Sequence, residues 1–256
     1  MVTSIHGVKI HFEIMGEGKP LLLLHGWGGC VNSMAPIWQF FKRNFKVYVI
    51  DFPGQNNESG VPEQAWGIPE YADVVKSFME EQSIEQPDVI AHSFGGRVAI
   101  YLASQEPSLF RRIVLVDAAG IKPKKTIKQR IKQVVFRCGK LWLKCISSKE
   151  QYEERITKLR KKYASPDYLA IQTEVMRQTF KNVISLDLTN HLAKIQNPTL
   201  IVWGENDQDT PLYMAKIMEK KIPDAGLVVL KEAGHFSYLD KTGNFNLIVS
   251  QFLCSK

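Results

Sequence analysis

The chain has 256 residues, 45% hydrophobic and 23% charged, enough apolar matter for one large packed domain and not the composition of a disordered chain. No apolar run approaches the ~20 residues needed to cross a bilayer, and no basic stretch leads into an apolar one at the N-terminus, so a cytoplasmic protein is expected. The formal charge of +7 is unevenly held: residues 121–188 carry 17 Lys plus Arg against 6 Asp plus Glu, net +11, and the remainder is net −4.

In chain order, residues 8–14 (VKIHFEI) alternate and read as an edge strand closed by Met15-Gly16-Glu17-Gly18. Residues 20–24 are continuously apolar, as a strand buried on both faces should be, and stop at His25-Gly26-Trp27-Gly28-Gly29. A helix over 33–43 and a strand over 46–50 follow, the strand ending at Asp51-Phe52-Pro53-Gly54. Residues 55–67 are rich in Asn, Gly and Pro and read as loop, and Pro69 opens a helix to about residue 82. Then come a strand over 88–91, a helix over 95–105 and a strand over 112–116. Beyond the basic segment, strands over 199–203 and 227–230 are separated by a helix over 212–221, and a last helix covers 244–254. This alternation predicts an α/β fold with a mainly parallel central sheet flanked by helices. Its core is residues 1–120 and 189–256, interrupted by a helical insertion over 121–188, where the charge changes sign. The four cysteines, Cys30, Cys138, Cys145 and Cys254, form no CxxC pair and read as free thiols in a reducing compartment.

The chemistry-bearing stretch is Ala91-His92-Ser93-Phe94-Gly95, where a strand runs into a serine between small residues and a helix begins at once. A nucleophile held at a tight strand-to-helix turn needs such neighbours, because strand and helix approach closely there. The alternative is an ordinary helix-capping serine. Acyl transfer also needs two N–H donors aimed at a developing oxyanion, one just after the nucleophile and one from a separate loop. Phe94 and Trp27 are placed to supply them. In Gly204-Glu205-Asn206-Asp207-Gln208-Asp209, Asp207 stands where an acid orienting a base would sit, with Asp209 and Asp117 as competitors. His235, in Ala233-Gly234-His235-Phe236, follows the last strand and can exchange a proton with serine near neutral pH.

With His25-Gly26, Ala91 to Gly95, Gly204 to Asp207 and Gly234-His235 in that chain order, nearly the whole chain resembles the α/β-hydrolase superfamily. Ala91 stands where that family usually has glycine, and Gln55-Asn56-Asn57 departs from its usual continuation after Asp51-Phe52-Pro53-Gly54. The resemblance implies that 121–188 is a helical cap over the active site. It also implies relatives among carboxylesterases, lipases, C–C bond hydrolases and peptidases, whereas epoxide hydrolases and haloalkane dehalogenases place aspartate where Ser93 stands.

Within the insertion, Ile127, Ile131, Val134, Val135, Leu141 and Trp142 recur near helical spacing, with Lys124, Lys125, Lys128, Lys132, Arg137, Lys140 and Lys144 filling much of the rest. The favoured expectation is that the apolar stripe covers the active site and the lysines face water. Weak contact with a membrane surface and steering of an anionic substrate are the alternatives. Nucleic-acid binding is not expected, since no recognition motif accompanies the charge. The expected activity is a serine hydrolase acting on a small to medium carboxylic ester through Ser93, His235 and Asp207, with Trp27 and Phe94 N–H groups as the oxyanion hole. It would need no metal or organic cofactor. A C–C bond hydrolase of ring-cleavage diketones with the same triad, and a non-catalytic binding protein of the same fold, are the rivals.

Overall fold

A computed structural model describes residues 1–123, 127–146, 148, 151–152, 155–156 and 166–254. The strands are β1 (Val2–Ile5), β2 (Val8–Met15), β3 (Lys19–Leu24), β4 (Phe45–Ile50), β5 (Asp88–His92), β6 (Ile113–Val116), β7 (Thr199–Gly204) and β8 (Ala225–Leu230). They form one sheet in the order β1-β2-β4-β3-β5-β6-β7-β8. The pairs β1–β2 and β2–β4 are antiparallel and every other pair is parallel. The helices are α1 (Ala35–Phe41), α2 (Ile68–Glu81), α3 (Phe94–Gln105), α4 (Ile127–Ile146), α5 (Pro166–Ala170), α6 (Glu174–Ser185), α7 (Tyr213–Lys221), α8 (Ser237–Asp240) and α9 (Thr242–Cys254). The expected α/β class, a mainly parallel sheet flanked by helices, is what forms.

The central strands read as unbroken apolar runs because both faces of the sheet are covered. Side chains alternate between faces: Leu22, Leu24, Ala91, Leu115 and Trp203 pack into one core, where α2, α3 and α7 contribute Tyr71, Val98 and Met218. Leu21, Leu23, Ile90, Val114 and Val202 pack into the other, against Phe41 of α1, Tyr238 of α8 and Phe245 of α9. Strand β3 lies between β4 and β5, so the chain reverses its direction of travel across the sheet there. Such a reversal opens a crevice at the carboxyl ends of the strands.

Three expectations need correction. The strand at 8–14 is not the edge: β1 pairs outside it, with Ile5 opposite Val8, through a His6-Gly7 turn in which both φ values are positive (51° and 76°). A four-residue strand with one buried side chain offers too little alternation to be seen beforehand. The helix at 33–43 is a 3-10 turn, Val31–Met34, followed by α1, and α8 was not anticipated. Finally, the stripe of α4 faces solvent where it is described: Val134, Val135, Leu141 and Trp142 are 51% to 65% exposed. The half-buried positions are instead Phe136, Gly139 and Leu143, a separate row of the same helix. Lys124 and Lys125, and the side chains of Ile127, Ile131, Lys128, Lys132 and Lys144, lie outside the described residues. Arg137 and Lys140 are exposed as expected. Among the described residues no helix is long and apolar enough to cross a membrane.

Candidate active site

Ser93 occupies the one-residue gap between β5 and α3, at φ 47° and ψ −108°. A non-glycine residue held there costs of order 1–3 kcal/mol, so its surroundings must over-determine it. They do. The Ser93 N–H donates to the Val116 carbonyl at 3.0 Å, and its own carbonyl accepts from Arg97 N at 3.2 Å and Ala119 N at 2.9 Å. Gly95 is obligatory on packing grounds, since a Cβ there would lie 2.2 Å from the Leu24 carbonyl oxygen. Ala91, in place of the family's usual glycine, is fully buried without disturbing the turn.

His235 follows β8 on a loop pressed against the end of β7. A Cβ on Gly204 would stand 2.0 Å from the Gly234 carbonyl oxygen, so this apposition also needs glycine. His235 Nε2 lies 2.9 Å from Ser93 Oγ, and Nδ1 lies 2.9 Å from Asp207 Oδ2. Nδ1 therefore carries the proton that Asp207 accepts, and Nε2 is left to accept from the serine hydroxyl. Asp207 is buried, and its carboxylate accepts three further bonds: from Asp209 N at 2.8 Å, Thr210 N at 2.9 Å and Thr210 Oγ1 at 2.7 Å. Burial pushes the Asp207 carboxyl up, but the bonds from His235 and Thr210 outweigh it and hold it below the usual range. Burial likewise disfavours charge on His235. The hydrogen bond and charge of Asp207, with Asp117 and Asp209 adding, reverse that and raise the imidazole above its ordinary value. Ser93 and His235 are only half-buried, so a small molecule can reach them.

The loop after β3 lies against this cluster. A Cβ on Gly26 would sit 3.3 Å from Ser93 Cβ, and the Trp27 ring meets Phe94 edge to face at 5.4 Å. Among the described residues, neither the Trp27 nor the Phe94 backbone N–H finds an acceptor. His25 braces this loop from within: its Nδ1 donates to the Gly26 carbonyl at 2.8 Å and its Nε2 accepts from Phe52 N at 3.0 Å. That arrangement needs the neutral ring, which burial favours by pushing its pKa down. The divergent Gln55-Asn56 pair finds its use here. Gln55 Oε1 accepts from Gly28 N at 2.7 Å, and Asn56 Nδ2 donates to the Gly29 carbonyl at 3.2 Å. Beside the loop is a cleft of about 330 Å³ whose lining includes Trp27, Gln55, Asn57, Gln172 and Met176 and, among the described residues, no charged side chain.

Of the two competing acids, Asp209 is exposed and only its N–H reaches Asp207. Asp117 is fully buried but turned elsewhere: it accepts from Gly204 N at 2.7 Å, Ser237 N at 3.2 Å and Ser237 Oγ at 2.5 Å. It thus ties the start of the Asp207 loop to the end of the His235 loop. Burial lifts its carboxyl to about 7 against the pull of the Ser237 and Gly204 donors. His92 acts similarly from the other side, donating Nε2–H to the His235 carbonyl at 2.9 Å while its ring lies 5.0 Å from that of His235. Burial, and then the neighbouring His235, push His92 down to about 3, so the brace is neutral. Both braces adjoin sequence motifs, but which partners they reach is set only by the packed loops. Asp207, Asp209 and His235 come close enough together to suggest a cation site. The Asp207 oxygens are already taken by four donors, so these residues do not fit a metal.

The alpha/beta hydrolase fold family matches residues 19–242, and the chain belongs to it. It is a hydrolase of that family. It is 24% identical over 261 residues to the pimeloyl-[acyl-carrier protein] methyl ester esterase of Legionella pneumophila (strain Corby), covering 96% of this chain and 100% of that protein. It is 26% identical over 265 residues to the 2-hydroxy-6-oxo-6-phenylhexa-2,4-dienoate hydrolase of Comamonas testosteroni, covering 95% and 91%. The crystal structure of an enol-lactonase from Burkholderia xenovorans LB400 superposes with a TM-score of 0.77 at 19% identity, covering all of both chains.

Proposed function

We propose that the protein is a serine hydrolase that cleaves small to medium carboxylic esters through an acyl-enzyme on Ser93. The observation that carries this reading is the imidazole of His235, set 2.9 Å from an alcohol and 2.9 Å from a buried carboxylate. As Ser93 Oγ bonds to the ester carbonyl carbon, its proton passes to His235 Nε2, and Asp207 holds the ring in the required tautomer. The free N–H groups of Trp27 and Phe94 receive the oxyanion, at about 3 kcal/mol per donor. Collapse breaks the bond to the alcohol, which leaves with the proton from His235. Water then gives a proton to His235 and attacks the acyl carbon; Ser93 departs and takes that proton back. Neither metal nor organic cofactor enters these steps.

In this reading residues 1–120 and 189–256 are the catalytic core and 121–188 the cap. The cleft beside Trp27, uncharged among the described residues, suits a neutral ester better than a carboxylate-bearing one. The free thiols Cys30, Cys138 and Cys254 are in keeping with a cytoplasmic enzyme. A second reading, cleavage of a C–C bond in a ring-cleavage diketone, rests on the Comamonas relative and uses the same three groups. Labelling with a fluorophosphonate probe tests the activated serine: wild type should label, and Ser93→Ala should not. Equal labelling of both proteins would end the proposal. Turnover of a p-nitrophenyl ester but not of a coloured ring-cleavage diketone would decide for the first reading over the second.

A further inference from the structure

Among the described residues, nothing covers an apolar row on helix α4. Val134 (60% exposed), Val135 (51%), Leu141 (65%), Trp142 (63%) and Ile146 (49%) recur at one and two turns and so share a stripe. Single exposed apolar side chains are ordinary on any surface, but a stripe of them along one helix is the mark of a contact surface. Its flanks decide what it meets. The helix holds six basic residues, Lys128, Arg130, Lys132, Arg137, Lys140 and Lys144, and no acidic one. A second copy of the chain on this stripe would set two such rows of like charge beside each other. A nucleic acid would satisfy the charge and leave the apolar row wet. An anionic lipid surface satisfies both at once, with phosphates meeting the basic flanks while the stripe enters the boundary between headgroups and acyl chains.

We infer that α4 is an interfacial helix that docks the protein on anionic bilayers. Two further features agree. The helix is too polar to span a membrane, so it must lie in the plane of the interface. Outside residues 121–188 the chain is net −4 against +11 within, so an anionic surface attracts this segment and repels the rest, orienting the molecule before contact. Docking of this kind is independent of the reaction catalysed.

The test is co-sedimentation of the full chain with vesicles of phosphatidylcholine and phosphatidylglycerol in equal parts, and with vesicles of phosphatidylcholine alone. Binding to the mixed vesicles at low salt is expected. On the neutral ones, or at about 0.5 M salt, it should be about tenfold weaker. The double variant Leu141→Glu/Trp142→Glu should lose about tenfold or more in vesicle binding. Arg137→Gln/Lys140→Gln should lose a smaller factor, and both variants should keep the wild-type melting temperature. Absence of binding to mixed vesicles at low salt would overturn the inference, as would binding that survives Leu141→Glu/Trp142→Glu. A dimer in sedimentation equilibrium broken by that variant, or salt-sensitive retention of DNA, each without vesicle binding, would reassign the surface and overturn it equally.

Discussion

The cluster around His235 and the face of α4 are both rows of closely spaced side chains, yet they are determined in opposite ways. At the cluster, Asp207, Asp117, His92 and His25 are buried polar groups, each paired with named partners on other loops. Leaving any one of them unpaired is costly, so neighbours constrain one another. Along α4, Val134, Leu141 and Trp142 are more than half exposed to solvent. Tolerance to substitution should therefore separate the two regions sharply, while binding to a lipid surface should separate them in the reverse sense.

The strongest way to break this contrast is at the serine. Ser93→Ala and His235→Ala should each lower kcat for a p-nitrophenyl ester by about 10⁴- to 10⁶-fold, measured against wild type at saturating ester. Asp207→Asn should cost about 10⁴-fold in kcat, because the ring loses the partner that selects its tautomer. It should also move the pH profile. His235 must be neutral to accept a proton, and Asp207 raises its pKa, so the acid limb of kcat/KM should lie above the ordinary imidazole value in wild type. Removing the charge should shift that limb to lower pH. Next in size, Asp117→Ala strands the donors on Gly204 and Ser237. It should destabilise by about 1–3 kcal/mol for each one left unpaired, read by urea unfolding, with Asp117→Asn losing less. Smallest of all, Val134→Ser on α4 should change unfolding free energy by no more than about 0.5 kcal/mol.

The same contrast explains what could be read from the chain beforehand. Ser93 and Asp207 are legible because each follows a fully buried strand, and buried parallel strands are unbroken apolar runs; His235 follows the half-exposed edge strand β8 and is legible from its Gly234-His235 pair. Gly95 and Gly204 are legible as glycines, although the carbonyls they admit, those of Leu24 at the end of β3 and Gly234 in the loop after β8, meet them only in the tertiary structure. For the same reason Asp117 stands out as a carboxylate at a strand end without revealing that it bridges two loops rather than orienting the imidazole. Gln55 and Asn56 depart from the family pattern, and only the folded loop shows them bonded to Gly28 and Gly29. The periodicity of α4 predicts an amphipathic helix correctly, but a helical period is identical whether protein, lipid or water covers it. Strand β1 escaped because its single buried residue, Ile5, makes no pattern.

Ser93 and His235 are neighbours in space across a sequence separation of 142 residues, and β6, β7 and β8 are laid down between them. During synthesis the elbow emerges from the ribosome long before its base, so every nascent chain shorter than 235 residues holds an unarmed alcohol. On the proposed reading, hydrolysis can begin only once β8 has docked. On that reading a nonsense mutation anywhere upstream of the histidine leaves an inert remnant rather than a sluggish or indiscriminate enzyme.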